Sequence, residues 1–161
     1  MPRIYTVSFE QALITAVQDL FQVSGAAGKM LRIRRAVLSC SDPVLPASQM
    51  LAVRARFLPA TVISGSGGGN PTPARTDPGD AAASFVALTN STTKATTNGS
   101  PATLYESGFY LYKGFDEPFD DGVGHGAPLV GPGEAWVLEL LNGLIGVVHL
   151  SGTVWVEEMG G

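Results

Sequence analysis

Apolar and polar residues alternate along most of this chain. In Met50–Leu58, Leu51, Val53, Ala55 and Phe57 fall on one side, while Ala52, Arg54, Arg56 and Leu58 fall on the other. A period of two marks a strand with one buried face. Tyr5, Val7 and Phe9 share a face in the opening run, and comparable runs cover 13–17, 31–40, 85–90, 103–112, 134–141 and 147–158. In the last run Leu150, Gly152, Val154 and Val156 point one way; Ser151, Thr153, Trp155 and Glu157 point the other. If the valines face a core, Trp155 stands outside among polar neighbours, on a surface that a partner would cover. The last two runs read as a closing hairpin with its turn at Asn142 and Gly143.

About eight such strands, separated by Gly, Pro, Asn and Ser, predict an all-β, antiparallel β-sandwich. Eight strands in one domain make a jelly roll the first expectation, with an immunoglobulin-like sandwich second. Helical spacing is confined to 77–83, where Asp77 before Pro78 offers a cap for one turn or two. Two irregular stretches interrupt the strands. Residues 64–75 are rich in Gly, Pro and Ser and read as a flexible loop. Residues 115–132 are rich in Asp, Gly and Pro, and carry Phe115 and Phe119 as aromatic anchors. Asp19-Leu20-Phe21 reads as the start of a turn.

At 161 residues the chain is expected to form one domain over 1–161, large enough for an ordinary core. Charged residues make up only 15% against 45% hydrophobic, so the surface is either covered by Ser, Thr and Gly or partly buried by neighbours. The net charge of −4 argues against binding polyanions, and hence against direct contact with nucleic acid. Cys40 is the only cysteine, so no intrachain disulfide is expected; at the end of an apolar run it reads as a small buried side chain. The start shows no signal-peptide pattern and no apolar run reaches membrane-spanning length, so cytoplasmic synthesis and no membrane contact are expected.

Charge is segregated. Lys29, Arg32, Arg34, Arg35, Arg54 and Arg56 lie in one stretch; Glu106, Asp116, Glu117, Asp120 and Asp121 lie in another. The two stretches can pair within a subunit or between copies. Arg32 and Arg34, like Arg54 and Arg56, have the spacing that puts both on one face of a strand. A hairpin of 31–40 with 50–58 would line four guanidiniums on one sheet face, facing an acidic loop or a neighbouring subunit. No aromatics interleave there for base stacking.

Candidate chemistry is sparse. Gly65 to Gly69 invites a phosphate-loop reading, but Pro71 and Pro73 follow instead of Lys and Ser/Thr. Asp116, Glu117, Asp120 and Asp121 are hard oxygen ligands that suit calcium, without the alternating pattern of an EF-hand. His125 and His149 are too far apart in sequence to argue for zinc, and no nucleophile-elbow pattern accompanies them. No catalytic residue, cofactor or metal is expected.

Three segments carry a resemblance: 1–9 (Met-Pro-Arg-Ile-Tyr-Thr-Val-Ser-Phe), 77–85 (Asp-Pro-Gly-Asp-Ala-Ala-Ala-Ser-Phe) and 151–158 (Ser-Gly-Thr-Val-Trp-Val-Glu-Glu). They resemble small uncharacterised proteins of tailed bacteriophages and prophages. The resemblance implies a non-enzymatic virion structural protein that decorates or cements the capsid, contacting the major capsid protein. An architectural likeness, carried by Gly133-Glu134-Ala135-Trp136 before an apolar closing strand, is to the trimeric jelly rolls of the complement C1q and tumour-necrosis-factor type; it implies a homotrimer. The candidate interface comprises Trp155, Thr153, Arg32, Arg34, Arg54, Arg56, Phe115, Phe119, Asp120 and Asp121. The alternative is a carbohydrate-binding or host-adhesion module of the virion or tail, using Tyr105, Tyr110, Tyr112 and Trp155 beside Asp120 or Asp121.

Overall fold

A computed structural model describes residues 2–44, 46–119 and 126–160. Its strands in chain order are β1 (Arg3–Ile14), β2 (Asp19–Ser24), β3 (Met30–Cys40), β4 (Met50–Leu58), β5 (Val62–Ile63), β6 (Ala74–Arg75), β7 (Val86–Ser91), β8 (Thr96–Thr97), β9 (Ala102–Tyr110), β10 (Phe115–Pro118), β11 (Leu129–Val130), β12 (Ala135–Leu140) and β13 (Val148–Met159). One sheet, A, runs β10-β3-β13-β1-β6, with β11 also on β3; the other, B, runs β7-β2-β12-β4-β9. All the pairings are antiparallel. Setting aside the two-residue strands and the six-residue edge strand β7, which is added beside β2, and numbering β1, β2, β3, β4, β9, β10, β12 and β13 one to eight gives sheet orders 6-3-8-1 and 2-7-4-5. That is the strand order of a jelly roll, as the eight-strand pattern predicts.

The core lies between the sheets. Sheet A contributes Tyr5, Val7, Ile33, Leu38, Leu150, Val154 and Val156; sheet B contributes Phe21, Val23, Leu51, Val53, Trp136, Leu138 and Leu140. These are the alternate positions of each strand, so period two in the sequence becomes one buried face per sheet. Gly152 is the exception among large residues on β13. A Cβ there would lie 2.8 Å from Leu38 Cδ2 and 2.9 Å from the Phe9 ring, so the position has no room for a side chain.

Four expectations need correction. The closing runs are not a hairpin: β12 lies in sheet B and β13 in sheet A. Asn142 does not turn the chain back; it prolongs the pairing of β12 with β4, accepting from Ala52 N at 2.6 Å and donating to Met50 O at 3.0 Å. Likewise β3 and β4 lie in different sheets, so Arg32 and Arg34 never share a face with Arg54 and Arg56. Leu13 and Ile14 finish β1, and the segment read as a turn at Asp19 is the buried strand β2. Residues 77–83 form no helix. Asp77 does cap a turn, accepting from Gly79 N at 2.9 Å, but the alanines then run extended, with Ala81 O accepting the Tyr5 hydroxyl at 3.0 Å.

Candidate contact surface

The two sheets treat their outer faces differently. The outer face of sheet B is covered by the chain itself. Every residue of β12 is buried: Trp136, Leu138 and Leu140 inward, Ala135, Val137 and Glu139 outward. The outward set packs with Leu58, Val62 and Ala95 in a second apolar cluster under the excursion from β5 to β8. The Gly-rich stretch read as flexible is the tightest part of this cover. It pairs with the β7 strand and its continuation through Ser66–Thr93 and Gly69–Thr89 bridges, and a Cβ on Gly68 would sit 2.0 Å from Thr89 O. Glycine is there for close approach of two backbones.

Charge buried under this cover is paired. Glu139, 0% exposed, accepts from Arg54 Nη2 at 2.5 Å and lies 2.5 Å from Arg56 Nε and 3.7 Å from Lys94 Nζ. Asp19, 1% exposed, accepts from Ala95 N at 2.7 Å and faces Arg56 Nη2 at 3.5 Å. Burial raises the pKa of Asp19, against the pull of the Ala95 amide and Arg56. Arg54 and Arg56 are therefore bound to the acids of their own face, under the chain's own excursion.

Among the described residues, the outer face of sheet A has no such cover along β1, β13 and β3. Its charges pair along the strands. Glu157 takes Arg32 Nη1 at 3.3 Å and Arg34 Nε at 2.9 Å. Arg34 and Arg35 both point outward because β3 bulges opposite the Trp155–Val156 step. Arg35 Nε donates to Asp116 Oδ1 at 2.7 Å, its Nη2 reaches Oδ2, and its guanidinium lies 5.4 Å from the Trp155 ring centroid. Trp155 thus stands outside, as the alternation predicts, in a row Trp155–Arg35–Asp116 across three strands. The bond from Arg35 holds the Asp116 carboxyl below its usual range. Among the described residues of the acidic stretch expected to meet the arginines, Asp116 forms an ion pair with Arg35.

A third region is the end of the sandwich where the loops after β1, β3 and β12 meet. Gln49 and Ile145 exchange two bonds, Ile145 N to Gln49 Oε1 at 2.8 Å and Gln49 Nε2 to Ile145 O at 3.1 Å. Asp42 accepts from His149 N at 2.8 Å and lies 2.6 Å from His149 Nδ1. The amide bond from His149 is the main cause that lowers the Asp42 pKa, while burial raises that of Cys40 beside it. The Ser41 hydroxyl donates to His149 O, so it is committed to the main chain rather than to the imidazole ring. At this end four apolar side chains stay in solvent, Leu13 at the end of β1 and Val44, Ile145 and Val147 on the loops, 52%, 81%, 67% and 67% exposed.

The flank between β9 and β10 is latched by Tyr105, whose hydroxyl donates to Glu117 Oε2 at 2.7 Å. Phe115 and Phe119 are buried behind it at 4% and 8% exposure, and Phe119 meets Trp136 edge-on at 5.7 Å. They anchor the segment as expected but present no surface to a partner. Tyr110 and Tyr112 are exposed on this flank, Tyr110 at the end of β9 in sheet B and Trp155 on β13 in sheet A. Asp120, Asp121 and His125 lie outside the described residues, and no group of three metal-ligating side chains occurs among the described ones.

Sequence reading missed Glu139, Asp19, the outer-face hydroxyls of Ser8 and Ser39, and the apolar loop end, while alternation had already placed Ser151 on the outer face. Glu139 had a signal: a single charge inside the apolar run 135–141 implies a buried, paired carboxylate. The architecture defines an antiparallel jelly-roll sandwich. Comparison with known proteins adds no relative: no family model, curated protein or solved structure matches the chain.

Proposed function

We propose that this chain is a non-enzymatic structural protein of a tailed-phage virion, a decoration subunit that binds between major capsid protein subunits on the head. The virion assignment rests on the sequence resemblance. The contact is carried by one observation, the fastened loop end bearing exposed Leu13, Val44, Ile145 and Val147. Covering such a side chain is worth about 1.5–3 kcal/mol. Loops already held by paired hydrogen bonds lose little entropy on docking. The segments 12–18, 41–49 and 141–147 contain no Lys or Arg, so an anionic lipid surface or nucleic acid is a poor fit and an apolar protein hollow a good one. A homotrimer, seated on local three-fold positions, would multiply a modest contact through multivalency.

Phage particles lacking this protein test the reading. The proposal expects heads that lose DNA at lower temperature than wild type, with resistance restored by added purified protein. Heads equally resistant to heat and pressure would refute a cementing role. Adding protein with Val44→Asp and Ile145→Asp should fail to restore resistance, although the variant folds.

A further inference from the structure

We infer that the outer face of sheet A carries a saccharide-binding groove beside Trp155, which takes neutral hexose or N-acetylhexosamine units. The inference does not depend on the virion reading. The groove encloses about 390 Å³ between β1, β13 and β3, and is lined by Ser8, Gln11, Ser39, Ser151, Thr153 and Trp155. That volume falls in the roughly 300–1,000 Å³ range of small-molecule sites.

Three observations point to a sugar. The first is the pairing of one aromatic wall with a hydroxyl-rich floor. Trp155 also borders a second depression, with Ile4, Arg34, Arg35 and Pro118, and Arg35 lines only that one. Among the described residues no cation lines the groove, so the part of the indole that borders it is available to the C–H face of a pyranose. The hydroxyls of Ser8 and Thr153, 2.9 Å apart, and of Ser151 and Ser39 are spaced along the adjoining strands. Each hydroxyl can both donate and accept, which is what a sugar hydroxyl requires.

The second is a built distortion at the groove edge. In β1, Glu10 and Gln11 together oppose the single residue Ser151 of β13, and Gln11 adopts φ +47°. This bulge aims both side chains at the groove, while Gln11 N donates to Ser151 Oγ at 3.0 Å. A non-glycine residue in the left-handed region is held there against its preference, and such outliers gather at binding sites. The same bulge shifts the inward set of β1 from Tyr5, Val7 and Phe9 to Ala12 and Ile14, so it serves the core as well as the groove edge.

The third is charge. Among the described residues, Glu10 is the only ionisable side chain lining the groove. Phosphate, uronic and sialic acids would be repelled, so the ligand is a neutral glycan and neither nucleic acid nor an acidic sugar.

Isotope-labelled protein titrated with glucose, galactose, mannose and N-acetylglucosamine oligosaccharides tests this by NMR. The two tryptophans give a reporter and a control, since Trp136 is 0% exposed. One series is expected to shift the Trp155 indole and the Ser151 and Thr153 amides saturably, leaving Trp136 still. Trp155→Ala should weaken that binding by about tenfold or more. Ser39→Glu, at an exposed position, should weaken it with the spectrum of the folded protein retained. The inference is overturned if no series moves the groove, if saturable shifts map to Tyr110 and Tyr112, or if Trp155→Ala binds as well as wild type.

Discussion

Sheet A and sheet B have the same inner design and opposite outer ones. On sheet B the chain folds its own residues from β5 to β8 over the strands, burying Val137 and Leu58 and enclosing Glu139 and Asp19 with Arg54, Arg56 and Lys94. On sheet A the corresponding face keeps Trp155, Thr153, Ser8 and Ser39 within reach of solvent. The same device, a row of arginines at alternate positions, serves both. On sheet B Arg54 and Arg56 neutralise buried Glu139 and Asp19; on sheet A Arg32 and Arg34 neutralise Glu157, 3% exposed, while the neighbouring Arg35 forms an ion pair with exposed Asp116 and props an indole. The lesson is that spacing alone does not tell a contact surface from a sealed one. What closes a face comes from a distant part of the chain.

The sharpest way to break this comparison is at Glu139. Glu139→Ala removes the buried acid shared by Arg54, Arg56 and Lys94; Arg56 keeps Asp19 and the other two cations reach solvent, so the loss in urea unfolding should be about 2–3 kcal/mol. A loss below about 1 kcal/mol would mean that water reaches the site and sheet B is not sealed. Next is Gly68→Ala, which places a Cβ against Thr89 O and should cost about 1–3 kcal/mol. Gly143→Ala meets nothing within 4 Å and serves as the silent control. Amide exchange at Ala95 should rise in the first variant of this pair and not in the second.

Trp155→Ala should change stability by no more than about 1 kcal/mol, the worth of an exposed cation–π contact. If it unfolded the protein, the faces of β13 would be assigned backwards. The smallest effects are in titration. The folded-state pKa of Asp19 is raised, so ionising it disfavours the fold: stability falls as pH rises from the ordinary carboxylate value through the raised one. Asp42 and Asp116 are depressed, so their contribution is present above the ordinary value and is lost as pH falls through their lowered ones. Carboxyl-carbon NMR should find Asp19 titrating above the usual range and the other two below it. Coincident titration of all three would remove the distinction between a sealed and an open face.

Much of the fold is legible in the sequence because most strands have one wet face. Leu51 to Ala55 and Leu150 to Val156 alternate, and their inward residues are those the period selects, whereas Phe57 is only partly buried. β2 escapes because it is covered on both sides: Asp19 and Gln22, buried at 1% each, interrupt the apolar pattern although they are interior. The false hairpins have one cause. Chain neighbours in a jelly roll mostly cross between sheets, and local alternation carries no record of which sheet a strand joins. Of the expected contact residues, Trp155 and Thr153 were readable from alternation. Phe115 and Phe119 were readable as anchors. Arg54 and Arg56 were not readable as sealed, because their partners Glu139, Asp19 and Lys94 come from three separate segments.

Hydroxyl-radical footprinting of the protein, free and bound to phage heads, tests the account most directly. Leu13, Val44, Ile145 and Val147 should react in the free protein and be shielded on the head, while Leu58 and Val137 stay unreactive in both. Equal reactivity of the loop end in the two states, or reaction of Leu58 and Val137 in the free protein, would contradict it.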